Sequence, residues 1–329
     1  MTSMLACVSH SPIIMIRARA PADEPAILEL YRECAAAIER FDPERVIVFG
    51  SDHFAGFFLA TMPAYCIGLA AEAVADVGGF GGRLNVPAED AKALLLHVRS
   101  RSFDPAVSYQ MTVDHAFSQP LQRLTGALDR YPVIPVFIGA LAPPFMSFAR
   151  SRDFGAAVGE FVRASGKRTL LIGSGGLSHH PTRYYPLLGE GTPEVAGWQV
   201  AGERAGTFTR EAWFQKLYDD HVTGAEMLVA GTRTAQDIRL NEQFDRWYMR
   251  CVAAGAVDEL AAFPPERAFE QAGVGSLELH CWIAALAAQK AAGGALPTRQ
   301  IYSPTLEYGI GYGMAYSPAA QASSARSGR

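Results

Sequence analysis

Cysteine is scarce in this chain of 329 residues, and it is scattered: Cys7, Cys34, Cys66, Cys251 and Cys281, with no Cys-x-x-Cys pair. An odd, dispersed set offers neither a disulfide framework nor a thiolate zinc site, so a reducing cytoplasm is the expected compartment. An excess of positive charge is also missing. Lys and Arg number 29 against 33 Asp and Glu, a net charge of −4, which makes nucleic acid and anionic membranes poor partners. No long apolar run is present either. The most apolar stretch, 57–71, is broken by Pro63 and Gly68 and stopped by Glu72, too soon to span a bilayer. Residues 1–5 carry no basic side chain, and His10 and Pro12 interrupt the apolar residues of 4–16, so no secretory signal is expected. Charged residues are held to 19% while hydrophobic ones reach 49%, which excludes disorder and suits one large, well-buried α/β unit.

Histidine is rare as well, with eight in the chain, yet four of them follow apolar runs. The run 4–9 ends at His10, 46–52 at His53, 107–114 at His115 and 170–178 at His179. Short, partly β-branched runs followed by Gly, Ser or Asp read as buried strands of a largely parallel sheet. Ligands in open α/β sheets bind beyond the carboxyl ends of the strands. The four histidines are therefore expected along one edge of one sheet, as a metal and acid–base site.

Between these runs the pattern alternates. Apolar residues at helical spacing predict a helix over 24–41, ended by Asp42-Pro43. Residues 57–68 read as a strand or buried loop, and 74–82 as a glycine-rich, mobile loop. Helices are predicted at 87–101, 119–130 and 154–164, with a strand at 133–138. Alternating β and α argues for helices on both faces of the sheet. After about residue 182 the reading turns helical, with 211–229, 241–254 and 276–292, while 190–205 resists assignment. No repeat or linker divides the chain, so 1–316 is expected to be one domain and 317–329 (SPAAQASSARSGR) a disordered tail.

The other histidines read as structural. His97 lies inside a helical pattern and His221 beside Asp219 and Asp220 suggests a solvated position; His180 is the exception, abutting His179 and able to exchange roles with it, although adjacent residues generally point apart. His280 sits two residues from Glu278, on a different helical face. Two neutral imidazoles and one carboxylate leave three coordination positions open on a metal, the arrangement of non-haem Fe(II) oxygenases. His10 and His53 come from the two earliest strands. Asp52 and Asp114 could supply the carboxylate or orient their neighbours. Glu278 is an odd acid in an apolar segment, explained equally well by a helix N-terminus or by metal ligation. The run 173–178 lacks the ending of a phosphate loop and reads as a tight turn delivering His179.

Seven segments together resemble the class III (LigB-type) extradiol ring-cleavage dioxygenases. They are SHSP (9–12), DH-xx-GFF (52–58), VDHxFxQPL (113–121), PVxPVFI (132–138), GSGGLSH (173–179), LN-x3-D (240–245) and AG-x4-E-x3-W (272–282). The resemblance is weaker over 183–234 and after residue 297. It implies Fe(2+) held by His10, His53 and Glu278, with His115 and His179 sharing the acid–base work. It also implies a catechol substrate, O2 as co-substrate, and a homo-oligomer. A propionate-bearing catechol is the leading substrate, with other catechols and 2-aminophenol open; Arg17, Arg183, Arg233, Arg239 and Arg246 are the candidates to meet a carboxylate. Two other readings stay in view: a non-enzymatic, Memo-like metal-binding or interaction protein, and a zinc hydrolase with the same ligands.

Overall fold

The structure is a computed structural model that describes residues 2–181 and 186–317. Its strands, in chain order, are β1 (Ser3–Val8), β2 (Arg45–Gly50), β3 (Tyr65–Gly68), β4 (Ala71–Ala73), β5 (Gly82–Arg83), β6 (Ala106–Ser108), β7 (Met111–Val113), β8 (Val133–Ile138), β9 (Thr169–Ser174), β10 (Arg299–Thr305) and β11 (Ile310–Tyr316). Eight of them form one sheet in the order β10-β11-β1-β9-β2-β8-β3-β6, and β5-β4-β7 form a small second sheet. The central strands β1, β9, β2 and β8 run parallel. Every residue of those four strands is buried.

Burial on both sides follows from the strand period of two. In β1, Leu5 and Cys7 enter one core while Met4, Ala6 and Val8 enter the other. The first core is closed by the helices Ala88–Ser100, Phe148–Ser165, Glu242–Ala254 and Leu279–Ala291, the second by Glu24–Phe41 and His115–Thr125. Among the described residues no helix is long and apolar enough to cross a membrane.

The structure departs from the sequence reading in several places. The run 107–114 is two short strands broken at Tyr109 and Gln110, and β7 belongs to the small sheet. The helix predicted from 119 starts at His115, because the Asp114 carboxylate accepts a hydrogen bond from Ala116 N–H and caps it; Pro120, which reads as a start, sits inside. The helix predicted from 154 begins at Phe148, and the unassigned 190–205 contains the helix Pro193–Ala201, capped by Thr192. The C-terminal part is not helical to its end. The hairpin β10–β11 joins the sheet, and β11 pairs antiparallel to β1. Its glycines Gly311 and Gly313 hide a strand pattern from propensity, yet all of β11 is buried. The loop expected to be mobile is stitched down: Gln119 donates to Gly78 O at 2.9 Å, and Phe80 N–H donates to Ser118 Oγ at 3.0 Å. Ser317 is buried, its N–H bonded to Leu5 O, so it does not belong to a tail. Residues 318–329 of that expected tail lie outside the described residues.

Candidate active site

Strands β1, β2 and β9 end on the same side of the sheet, and the residues just past them bring His10, His53 and His179 together. His115 reaches the same place as the first residue of its helix, arriving from the small sheet rather than the large one. Ring centroids are 5.3 Å apart for His10 and His53, 5.2 Å for His10 and His115, and 4.3 Å for the stacked His53 and His115. Glu278 ends a 3-10 turn (Val274–Glu278) that leads into the helix Leu279–Ala291. All four histidines line one cavity, whose remaining wall is largely apolar: Val77, Leu141, Leu217, Val274 and Ile310.

The orientation of each ring is fixed from behind. His53 points Nδ1 at the Asp114 carboxylate, 2.8 Å away, and its backbone N–H donates to the same oxygen at 2.7 Å. Facing an acceptor, Nδ1 carries the hydrogen, so Nε2 presents a lone pair. His10 places Nδ1 2.9 Å from Ser174 Oγ, and its Nε2 makes no hydrogen bond among the described residues. Both Nε2 atoms face one oxygen of Glu278, His10 at 3.2 Å and His53 at 3.3 Å. That carboxylate, 1% exposed, also accepts hydrogen bonds from Ser51 Oγ at 2.6 Å and Gly176 N–H at 2.7 Å.

Two ring nitrogens and a carboxylate oxygen thus converge in a largely buried site; with their lone pairs inward, they would repel one another unless a positive charge lay between them. The electrostatics agree. Burial would raise the Glu278 carboxyl, but His10 and His53 outweigh it and hold it well below the usual range. Burial would lower His53, but Asp114 and then Glu278 hold it well above its usual value. A field that favours a proton at this point favours a divalent cation equally, and two imidazoles with a carboxylate suit one. Ring nitrogens of His10, His53 and His115 also come within 4.8 Å of one another. His115 lacks the carboxylate charge that Glu278 brings.

His115 and His179 are kept neutral. Burial, then the positive field of His53, pushes His115 well below its usual range. Its Nδ1 lies 2.5 Å from Asp76 Oδ2, and its Nε2 has no hydrogen-bond partner among the described residues. Burial, then Asp114, raises the Asp76 carboxyl well above its usual range. Burial pushes His179 down to about 4. Its Nδ1 donates to Leu177 O at 3.0 Å, leaving Nε2 as an acceptor. Two glycines make room for this ring: a Cβ on Gly176 would lie 2.3 Å from His179 Cε1, and one on Gly275 2.0 Å from Nδ1.

Sequence reasoning missed Asp76, which the glycine-rich loop delivers; a lone acid among Val, Ala and Gly was the available signal. It also misplaced His221, which is 7% exposed and lines the cavity, its Nδ1 2.6 Å from Leu217 O. Asp219 and Asp220 mark the outer side of that helix, but His221 lies one turn from Leu217 on the inner side. Asp52 is buried beside His53. It accepts from the N–H groups of Ala55, Gly56 and Phe57, and burial, then Asp114, pushes it up to about 8. His280 is apart from the site, bonded to Ser151 Oγ at 2.8 Å. His180 accepts from Val274 N–H at 3.2 Å, and His97 lies 4.0 Å from Glu160. Of the five arginines, Arg17 pairs with Glu24, Arg246 with Glu242, Arg239 packs over Phe269, and Arg233 reaches His180 O. Arg183 lies outside the described residues.

Residues 4–313 match the protein family described as the catalytic LigB subunit of aromatic ring-opening dioxygenase. The 2,3-dihydroxyphenylpropionate/2,3-dihydroxicinnamic acid 1,2-dioxygenase 2 of Dechloromonas aromatica (strain RCB) is 38% identical over 328 residues, 98% of this chain and 100% of its own. Enzymes named for the same activity from Paraburkholderia xenovorans (strain LB400) and Azotobacter vinelandii (strain DJ / ATCC BAA-1303) are each 38% identical. They cover 94% and 95% of this chain, and 95% and 98% of their own.

Proposed function

Since this chain belongs to the LigB family and is a class III extradiol ring-cleaving dioxygenase, we propose that it uses Fe(II), held by His10, His53 and Glu278, to open a substituted catechol with both atoms of O2. The observation that carries the metal assignment is the convergence of His10 Nε2 and His53 Nε2 on one Glu278 oxygen, at 3.2 and 3.3 Å. When bound there, iron would supply coordination positions for both catechol oxygens and for O2, making a bimolecular reaction a matter of proximity.

The chain's own groups do the rest. Ser174 and Asp114 fix the two imidazoles so that their lone pairs face inward. The apolar wall excludes water from the reacting oxygens. His115 and His179 share the proton transfers, taking one from a catechol hydroxyl and returning one as the ring opens. Neutral imidazoles are fit to accept a proton at once, and the Nε2 of His179 is the acceptor its bond to Leu177 leaves over. The leading substrate is 3-(2,3-dihydroxyphenyl)propionate, on the strength of the relatives' names.

The test is anaerobic loading with Fe(II), then oxygen uptake and visible absorbance with that substrate, plain catechol and 2-aminophenol. A yellow ring-opened product with matching O2 consumption is the expected result. Bound iron without O2 uptake on any of the three would overturn the reading, as would turnover restored by zinc instead.

A further inference from the structure

The segment 240–245 carries an acid, Asp245, that takes no part in the proposed ring cleavage. It lies on the helix Glu242–Ala254 and is fully buried. Its Oδ1 accepts the N–H of Ser178 at 2.8 Å. Its Oδ2 accepts the Ser178 hydroxyl at 2.5 Å and the Tyr302 hydroxyl, from β10, at 3.0 Å. Ser178 Oγ in turn accepts the N–H of Asn241 at 2.8 Å, and Ser178 O accepts the N–H of Gly311, in β11, at 2.9 Å. A buried carboxylate is costly, and burial pushes Asp245 up to about 6 against the donors around it. A fold that needed only a helix start there has no use for it, since Asn241 already caps that helix through Phe244 N–H.

The residue after Ser178 is His179. Beyond Ser178, its backbone N–H donates to Ala272 O at 2.9 Å and its carbonyl accepts from Gly275 N–H at 3.0 Å. The turn that carries the ring is therefore held on the Ser178 side by Asp245 and on the other by the 272–275 segment. We propose that Asp245 is a positioning residue: by clasping Ser178 at both N–H and hydroxyl, it sets the place of the His179 imidazole, and through Tyr302 and Gly311 ties that place to the C-terminal hairpin. Gly311 belongs to the same device, because a Cβ there would lie 2.0 Å from Asp245 Oδ2 and push the carboxylate off its partners. The acid touches neither cavity nor reacting atoms; its action is on geometry, where a displacement of about 1 Å can cost about 10²-fold.

This inference rests on the proposed role of His179, so its test has two arms. In the first, the full chain is labelled with 15N-histidine without metal, and the ring resonances of His179 and His115 are compared across wild type, Asp245→Asn, Asp245→Ala and Tyr302→Phe. The expected result is shifted or broadened His179 signals with His115 unmoved, largest for Asp245→Ala and smallest for Tyr302→Phe. In the second arm the Fe(II)-loaded variants are assayed with 3-(2,3-dihydroxyphenyl)propionate. There kcat should fall about 10²-fold for Asp245→Ala and less for Tyr302→Phe, with iron content kept and KM changed little. Tyr302→Phe removes one hydroxyl and no packing volume, so the idea can still be judged if Asp245→Ala does not fold. Thermal destabilisation with His179 signals and kcat both unchanged would overturn it, leaving Asp245 a stability residue. A wild type that cleaves no catechol would sink the functional reading alone, and the resonances would still decide this one.

Discussion

Two histidines of this protein, His179 and His280, share almost every property by which a functional residue is usually picked out. His280 is fully buried and His179 half-buried, and desolvation pushes both far down, His179 to about 4 and His280 to about 3. His280 even lies two residues from Glu278. Yet it faces the core between the helices Leu279–Ala291 and Phe148–Ser165, bonded to Ser151 and packed 4.4 Å from the Phe148 ring. His179 lines the cavity instead, within the field of Glu278. Burial and a shifted pKa are therefore common to core and site. What separates them is whether the ring lines the cavity or is shut inside the core.

The sharpest break in this comparison comes from the proposed metal donors. Glu278→Ala should abolish iron retention and lower turnover by about 10³-fold or more, as metal analysis and oxygen uptake would show, whereas changes at His280 should leave iron content alone. Next come His115→Ala and His179→Ala, expected to lose about 10²–10⁴-fold in turnover with iron largely kept. Loss of iron in either would make that residue a ligand. Asp114→Asn weakens the partner of His53 and should cost about 10–100-fold in metal affinity, read by competition with a chelator.

The core histidine is tested by stability instead. In the folded state His280 stays neutral down to about pH 3, while the unfolded chain protonates it near 6.5. Its contribution is therefore intact above pH 6.5 and is lost as pH falls toward 3. The double variant Ser151→Ala/His280→Leu should match wild type in urea at pH 8 and exceed it by about 2 kcal/mol at pH 5. Ser151→Ala alone strands one buried nitrogen, and should cost about 1–3 kcal/mol with turnover untouched.

The difference between these regions also marks how far the sequence could be read. His10, His53 and His179 were legible because each follows a buried strand, and strand ends share one edge of a parallel sheet. His115 was reached by the same rule and does lie beside the other rings, though its strand β7 belongs to another sheet than expected. Glu278 stayed balanced between two explanations, since a sequence cannot reveal that two imidazoles lie 3.2 and 3.3 Å from one of its oxygens. Asp76 and His221 were hidden for opposite reasons. Flexible-looking glycines masked an ordered loop, and neighbouring aspartates masked the buried side of a helix. The hairpin β10–β11 escaped because glycine and proline weaken a strand signal that tertiary pairing overrides.

The pairing of β1 with β11, and the bond from Ser317 to Leu5, join the last described residues to the first strand. On the ribosome this has a cost in time. The strand that leads to His10 is made well before β11, one of its two neighbours, and Glu278 also follows His10 and His53 at a long distance along the chain. Contacts so distant along the chain close slowly. Until residue 278 has been made, the proposed donors His10 and His53 lack the carboxylate that would complete their set.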